Sequence, residues 1–597
     1  MNAHTAIAGS GLAARPERVR LAGQRQQSVA LAHNRLMVMM LIFLGVIALI
    51  AGRLFYLAIF GGNGGAISAQ DILLPPRADI TDRNGIPLAR TIDMWTIGIH
   101  PDQLVNRPQE VAAKLAELLP ERSYDEYLAI LKSKRKFFYL RRRAMPDLVV
   151  KVNAIGEPAI ELDREPQRVY PQATLAGPVL GWTNVDGHGG FGMEKVLDKR
   201  LIDPALRGKP VSLSIDSRVQ AALEQELGAA KDKFTAAAAS GLVMDVRTGE
   251  VIAMTSLPAF NPNNPGATPV DNLKNNITQS VYELGSTFKM ITIANAMQSG
   301  VVTNMAQKYD ATAPLHVGRF TIHDEEPAGR WLNIPEMITK SSNIVTARIA
   351  DELGEAREVA MFRKLGMDKA PEIELTAKAR PLWPAYWGRS TVMTVGFGHG
   401  IAVTPLNLAL AYCALVNGGV YRPATLLKRG PENPLPAGRR VISETTSARV
   451  RQLMRLVVMP IADGTGKKAE VPGFRLGGKT GTAEKAQGGG YNKKLNVSTF
   501  AGAFPMDNPH YLVMMTLDGP HATADTYGWT TAAWVVGPAI GRMVARIGPL
   551  LGVYPDLHKD VDESDLLPLI WHAPVDRKAA RTTDVQAGAA AARKDRD

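Results

Sequence analysis

Lys289 is the only charged side chain in the run Gly285-Ser286-Thr287-Phe288-Lys289-Met290-Ile291-Thr292-Ile293-Ala294-Asn295-Ala296-Met297. The run predicts a helix that is apolar nearly all round, and such a helix is buried. An ammonium group is costly there unless it is paired or gives up its proton. Ser286 stands three residues earlier, and positions i and i+3 share a helix face. A hydroxyl beside a desolvated amine meets the requirement for an activated serine nucleophile. Two further motifs follow, Ser341-Ser342-Asn343 and Lys479-Thr480-Gly481-Thr482. The first opens an apolar helix over Ile344–Ala350, where capping is an alternative use for Ser341 and Asn343. The second reads as a strand in which Gly481 lets another backbone approach closely. A plain strand running into a turn would explain its threonines but not its lysine. Each motif is weak alone, but the three in this order make a strong signal for acyl transfer through serine.

Other elements must carry and position these residues. Arg15, Arg18, Arg20, Arg25 and Arg35 crowd a stretch with one acid, Glu17, and the apolar run Leu36–Gly52 follows. After Arg53 the chain continues apolar to Phe60. Roughly 20 apolar residues span a bilayer, so 36–60 is expected to be an uncleaved transmembrane anchor. The positive-inside rule puts the tail 1–35 in the cytoplasm and the remainder outside. Gly61–Gly65 is a flexible exit, and 61–220 alternates short strand-like and helical stretches, such as Thr96–His100 and a helix over Gln109–Leu119. This segment has no catalytic cluster and is expected to be a spacer or docking domain. A helix over Ala221–Phe234 opens the second domain, 221–560. The hairpin Gly241–Val246 and Val251–Thr255 turns at Arg247-Thr248-Gly249-Glu250. A helical middle follows, then strands over Phe474–Thr482, Val497–Phe504 and Tyr511–Leu517, and a last helix over Thr530–Ile547. Joining the early hairpin to the late strands gives an α/β domain with one five-stranded antiparallel sheet between helices. The tail 561–597 is rich in alanine and charge towards its end and is expected to be disordered from 576.

Several function classes fall away. The single cysteine, Cys413, lies in the apolar run Leu406–Val416 and reads as a small buried hydrophobe. It allows neither an internal disulfide nor a thiolate metal site. His323, His399, His510 and His521 are scattered without metal-ligand spacing, so no metal and no cofactor is expected. His399 reads as structural. Gly396-Phe397-Gly398-His399-Gly400 lacks the helix-opening context of a nucleotide loop. The formal net charge is +12, but an exported domain rarely meets nucleic acid, so no nucleic-acid partner is expected. Part of the excess is local, in Lys132, Lys134, Arg135, Lys136, Arg141, Arg142 and Arg143. These read as a solvated face, with an acidic partner or lipid headgroups as the alternative.

With its three motifs the chain resembles the membrane-anchored class B penicillin-binding transpeptidases, from the anchor to about Val553. Arg77-Ala78-Asp79-Ile80-Thr81-Asp82-Arg83-Asn84-Gly85 resembles the opening of that family's pedestal domain. Arg168-Val169-Tyr170-Pro171 and Gly192-Met193-Glu194-Lys195 resemble its later motifs. Gly181-Trp182-Thr183-Asn184-Val185-Asp186 is closer to the septal than to the elongation subgroup. Asp463-Gly464-Thr465-Gly466-Lys467-Lys468-Ala469 also fits. Leu284, Asn276 and Trp534 depart from the family pattern without removing a chemical group from the motifs.

The resemblance implies a peptidoglycan D,D-transpeptidase, or serine-type D-Ala-D-Ala carboxypeptidase, that acts in septal wall synthesis and is trapped by β-lactams. It implies Ser286 as acyl-ester nucleophile and Lys289 as general base. Ser341 would relay a proton, Asn343 hold the peptide amide, and Lys479 supply a cation. Thr480, Gly481 and Thr482 would receive the terminal carboxylate, and the backbone N–H groups of Ser286 and Thr482 would form the oxyanion hole. The implied setting is the bacterial inner membrane at the division septum, with the catalytic domain periplasmic and a SEDS-type glycosyltransferase and other divisome proteins as partners. An elongation-type transpeptidase, a β-lactamase, and a membrane-anchored β-lactam sensor or scaffold remain as alternatives.

Overall fold

The computed structural model describes residues 34–54, 76–318, 320–487 and 490–571. The chain divides into two units, 1–74 and 75–597. The first contributes one described helix, α1 (Asn34–Leu54), with mean hydropathy 2.4 and no buried residues. At about 1.5 Å per residue it is long enough to cross a hydrocarbon core. The last six residues of the expected anchor, the exit at Gly61–Gly65, the tail before residue 34 and the end from 576 lie outside the described residues.

In the second unit, five strands make the first sheet: β1 (Ile80–Thr81), β2 (Pro87–Ile99), β3 (Phe138–Ala144), β4 (Ile160–Val169) and β5 (Val211–Ser212). The long β2 pairs antiparallel with β1, β3 and β4. Its far end packs Ile97 and Ile99 against Val111, Leu115 and Tyr127 of two helices, Pro108–Leu118 and Tyr124–Leu131. Its near end is tied by charge. The buried Glu194 carboxylate accepts from Arg77 and Arg168, each at 2.7 Å. That network gives the motif residues Arg77, Arg168 and Glu194 a structural reason, since a buried charge must be paired.

The second sheet includes the strand that holds Lys479-Thr480-Gly481-Thr482. Helix α2 (Ser217–Lys233) leads into the hairpin β6 (Ala238–Asp245) and β7 (Val251–Leu257). The helices α3 (Lys289–Gln298), α4 (Ile334–Lys340), α5 (Asn343–Lys364), α6 (Pro405–Val416) and α7 (Glu444–Val458) follow. Then come β8 (Gly477–Gln487), β9 (Gly490–Phe504), β10 (Tyr511–Asp518) and α8 (Gly537–Leu550). The sheet order is β8-β9-β10-β6-β7, and every pairing is antiparallel. The early hairpin therefore joins the late strands through β10 and β6, as the sequence predicts.

Strand periodicity explains the layers, because successive side chains point to opposite faces. Leu242, Met244, Leu512 and Met514 enter the core shared with α3 and α6. Val243, Val513, Met515 and Leu517 enter the core shared with α2 and α8.

Two expectations need correction. The last helix is not continuous from Thr530. A short helix, Ala532–Val535, stops and α8 restarts with Pro538 in its first turn, where a missing N–H costs nothing. The packed domain also does not end at 560. Leu566 is fully buried, and Trp571 N donates to Glu336 Oε1 at 3.1 Å. Residues 561–571, the start of the expected tail, are thus a strap on the domain.

Candidate active site

The run around Lys289 is not one helix. Gly285–Phe288 forms a 3₁₀ turn, and α3 begins at Lys289. The i,i+3 relation of Ser286 and Lys289 survives, because a 3₁₀ turn has three residues per turn. Ser286 is partly exposed while Thr287, Phe288 and Lys289 are buried. The turn lies directly against β8. A Cβ on Gly285, whose φ is +52°, would sit 2.7 Å from Thr482 O, and one on Gly481 would sit 2.4 Å from Leu284 O. Only glycine at both positions lets these backbones meet so closely.

The second motif bridges two helices. Ser341 ends α4 in the left-handed region, φ 57° and ψ 44°, and Ser342 caps α5 by accepting from Val345 N at 3.1 Å. A non-glycine residue there carries about 1–2 kcal/mol of strain, so the neighbours must fix it. Asp324 does so: it accepts from Ser342 Oγ at 2.7 Å and from Ile344 N at 3.0 Å. Asn343 Nδ2 donates to His323 O at 2.9 Å. The loop His323–Asp324 therefore clamps Ser341 where two lysines reach it.

Those lysines are fully buried. Lys289 Nζ donates to Ser341 O and, at 3.1 Å, to Ser341 Oγ. Lys479 Nζ donates to the same Ser341 Oγ at 3.0 Å and to Thr480 O at 3.0 Å. Burial, and then the charge of Lys479, hold Lys289 well below the usual lysine range, against the opposing pull of Asp324 and Glu325. Burial brings Lys479 down to about 7, opposed by Glu325. Burial and then Lys289 also lower His399. Burial thus favours the loss of a proton from the pair of lysine amines well below the usual lysine range.

No side-chain hydrogen bond joins Ser286 and Lys289 among the described residues. The Ser341 carbonyl and hydroxyl take the Lys289 donors instead. Catalytic hydrogen bonds are often loose without substrate and tighten in the complex.

Ser286, Ser341, Asn343, Thr480 and Thr482 line one cavity of about 340 Å³, with Glu325, His399 and Thr465. Lys289 and Lys479 do not line it but bond to Ser341, which does. The two threonines differ. Thr480 Oγ1 donates to Thr465 Oγ1 at 3.0 Å and receives Lys479 at 3.3 Å. Thr482 Oγ1 accepts from Ala532 N at 3.1 Å, which leaves its own hydrogen to point at a ligand. A second cavity, about 830 Å³, shares Glu325, Asn343, His399 and Thr482, and extends under the hairpin of Leu315–Val317 and Phe320–Ile322.

The sequence reading missed Asp324 and Glu325 altogether. A loop acid carries no periodic signal, and only the fold reveals that Asp324 caps α5. Thr465 lay in a quoted motif without a role. His399, read as structural, lines both cavities.

Similarity to known proteins agrees with this geometry. The family described as "Penicillin binding protein transpeptidase domain" matches residues 239–540. "Penicillin-binding Protein dimerisation domain" matches residues 72–202. The chain is 40% identical over 484 residues to "Probable peptidoglycan D,D-transpeptidase FtsI" of Caulobacter vibrioides, covering 80% of this chain and 82% of that one. It is 29% identical over 524 residues to "Peptidoglycan D,D-transpeptidase FtsI" of Escherichia coli, covering 82% and 86%. Among solved structures, penicillin binding protein 3 of Mycobacterium tuberculosis in complex with ampicillin superposes with TM-score 0.64 at 26% identity, covering 82% of this chain and 98% of that one. By matched domains and overall similarity, the chain belongs to the penicillin-binding protein transpeptidases, of the septal class B type.

Proposed function

We propose that this chain is a membrane-anchored peptidoglycan D,D-transpeptidase that cross-links stem peptides during septal wall synthesis. The observation that carries the reading is the meeting of two buried lysines on Ser341 Oγ, in a residue that lines the same cavity as Ser286. Ser286 Oγ attacks the carbonyl between the two terminal D-alanines. Its proton passes to neutral Lys289 and, through Ser341, to the nitrogen of the departing D-alanine. The C–N bond breaks and an acyl-enzyme ester remains. The backbone N–H groups of Ser286 and Thr482 hold the oxyanion. Thr482, Thr480 and the Lys479 charge receive the terminal carboxylate, and Asn343 holds the peptide amide. An amine from a neighbouring stem peptide then attacks the ester, restores the Ser286 hydroxyl and completes the cross-link.

A β-lactam presents the same carboxylate and a strained amide, and acylates Ser286 without a departing fragment to make room for the amine. Helix α1 anchors the chain in the cytoplasmic membrane, with the catalytic domain on the periplasmic side at the division septum. A SEDS-type glycosyltransferase of the divisome supplies the glycan that this chain does not polymerise. The test is adduct formation with labelled penicillin. We expect a stable adduct mapped to Ser286, and none in Ser286→Ala. An adduct that persists in that variant would overturn the nucleophile.

A further inference from the structure

One wall of the catalytic cavity has no part in the mechanism above. Beyond Thr482 it is formed by Lys468, Trp529 and Trp534. The Lys468 ammonium lies 3.7 Å from the centroid of the Trp534 ring. Tyr527 props the same indole edge-on, with centroids 5.6 Å apart. Trp529 is 44% exposed. The other two lysines that line this cavity share a single carboxylate. Lys340 and Lys467 both bind Asp463, at 2.9 and 2.5 Å. Lys468 has no carboxylate partner among the described residues. The wall therefore combines flat aromatic surface with an ammonium that no carboxylate pairs among the described residues, in a cavity whose acids are Asp463, Glu325 and Glu326.

Its position relative to the ligand follows from a backbone bond. Thr482 Oγ1, facing the ligand carboxylate in the proposed mechanism, accepts from Ala532 N. Ala532 opens the short helix that carries Trp534 two residues later. The aromatic wall thus begins about one side chain beyond the carboxylate site. The opposite end of the cleft is occupied by the larger cavity under the Phe320 hairpin, which Trp529, Trp534 and Lys468 do not line. A ligand with its carboxylate at Thr482 and its acyl side chain in the larger cavity directs its remaining substituent at the tryptophans.

We propose that Trp534, Trp529 and Lys468 form a subsite for a planar, anionic substituent carried on the carboxylate side of the ligand, the position of the C-3 group in a cephalosporin. The inference rests on the reading of Ser286 as nucleophile and Thr482 as carboxylate site. Trp529 and the part of the Trp534 indole that Lys468 leaves open supply stacking area. Lys468, over the Trp534 ring, supplies a charge close to the aromatic surface. A methyl group at C-3 leaves both unused, and a cationic group meets like charge.

The test uses three cephalosporins with one common acyl side chain. Their C-3 groups are a methyl, a planar heteroaromatic ring bearing a carboxylate, and a planar ring bearing a permanent positive charge. Second-order acylation rate constants are measured for the full chain in detergent, and for Lys468→Gln and Trp534→Ala. Each variant's own rate with the methyl compound is its reference, which removes intrinsic differences in ring reactivity. We expect the preference for the anionic compound over the methyl compound to fall about three- to fivefold in each variant. We expect the preference for the cationic compound to rise in Lys468→Gln. Acylation that proceeds with unchanged preferences in both variants removes the subsite and leaves the Ser286 reading intact. Failure of all three compounds to acylate the unaltered chain overturns the Ser286 reading, and the subsite with it.

Discussion

At the scale of single residues, the proposed chemistry depends on two amines that share one hydroxyl. Lys289 and Lys479 both donate to Ser341 Oγ, so a proton that leaves one is felt by the other. Their titration belongs to the pair. The direction is set by burial: both lie below the ordinary value of 10.5, Lys479 at about 7. In the proposed mechanism, loss of the first proton creates the base, and loss of the second removes the cation that faces the substrate carboxylate. The acylation rate is therefore expected to be bell-shaped in pH, with both limbs well below the usual lysine range. Lys479→Arg separates the two roles, because a guanidinium keeps its charge throughout. In that variant the alkaline limb is expected to move up or vanish, while the acid limb persists and the maximum drops with the altered geometry. Stopped-flow acylation from pH 5 to 10 reads both limbs. An unchanged alkaline limb would falsify the assignment of that charge to Lys479.

At the scale of elements, what was legible in the sequence was what repeats or alternates. The sheet was readable because Leu242, Val243 and Met244 alternate between two cores. The three motifs were readable because their residue types are chemical. The break of the last helix and the 3₁₀ turn at Ser286 were not, since both are set by tertiary fit against β8 and by one proline. Nor could the sequence reveal Glu358, which sits in α5 just beyond the kink at Gly354. Glu358 is buried, and both its carboxylate oxygens lack a hydrogen bond in the structure. It faces the backbone at Gly396, where an added Cβ would lie 3.3 Å from Glu358 Oε1 and 3.7 Å from Thr292 Oγ1. Burial pushes this carboxyl well above 4.5, so the folded chain holds its proton where the unfolded chain releases it. Its contribution is then fully present below about pH 4.5 and is lost as pH rises. Glu358→Leu removes an unsatisfied buried acid and is expected to stabilise by about 1–3 kcal/mol. The gain in Tm should be larger at pH 8 than at pH 5. Equal gains at the two pH values would mean that Glu358 ionises freely in the folded state.

At the scale of the whole molecule, residues far apart in sequence hold the catalytic sheet and the first sheet as one unit. Ser217 N and Oγ both donate to Asp82 Oδ2, at 3.1 and 2.8 Å, so a turn of the first sheet caps the helix that opens the catalytic domain. Ile80, Leu88 and Tyr170 share a hydrophobic core with α3 and α6. The strap after residue 559 closes the other side. Asp560 binds the Arg455 guanidinium at 2.8 Å, and that arginine, 6% exposed, also holds Glu470. Leu566 is fully buried, Asn333 Nδ2 donates to Leu569 O at 2.6 Å, and Trp571 N meets Glu336. Asn333 and Glu336 form the capping box that starts α4, and α4 ends at Ser341. The strap is thereby connected, through one helix, to the hydroxyl on which the two lysines converge. Leu566→Ala is expected to cost about 2–5 kcal/mol, the range for a large-to-small change in a core. A chain ended after Lys559 loses that contact, one of Arg455's two carboxylate partners and the support of the α4 cap together, so its Tm should fall further than that of Leu566→Ala. If α4 transmits the loss, acylation by labelled penicillin should also slow in the shortened chain at temperatures where circular dichroism still reports a folded protein. A shortened chain that melts early yet acylates at the full rate would restrict the strap to stability, and would place the fixing of Ser341 in the Asp324 clamp alone.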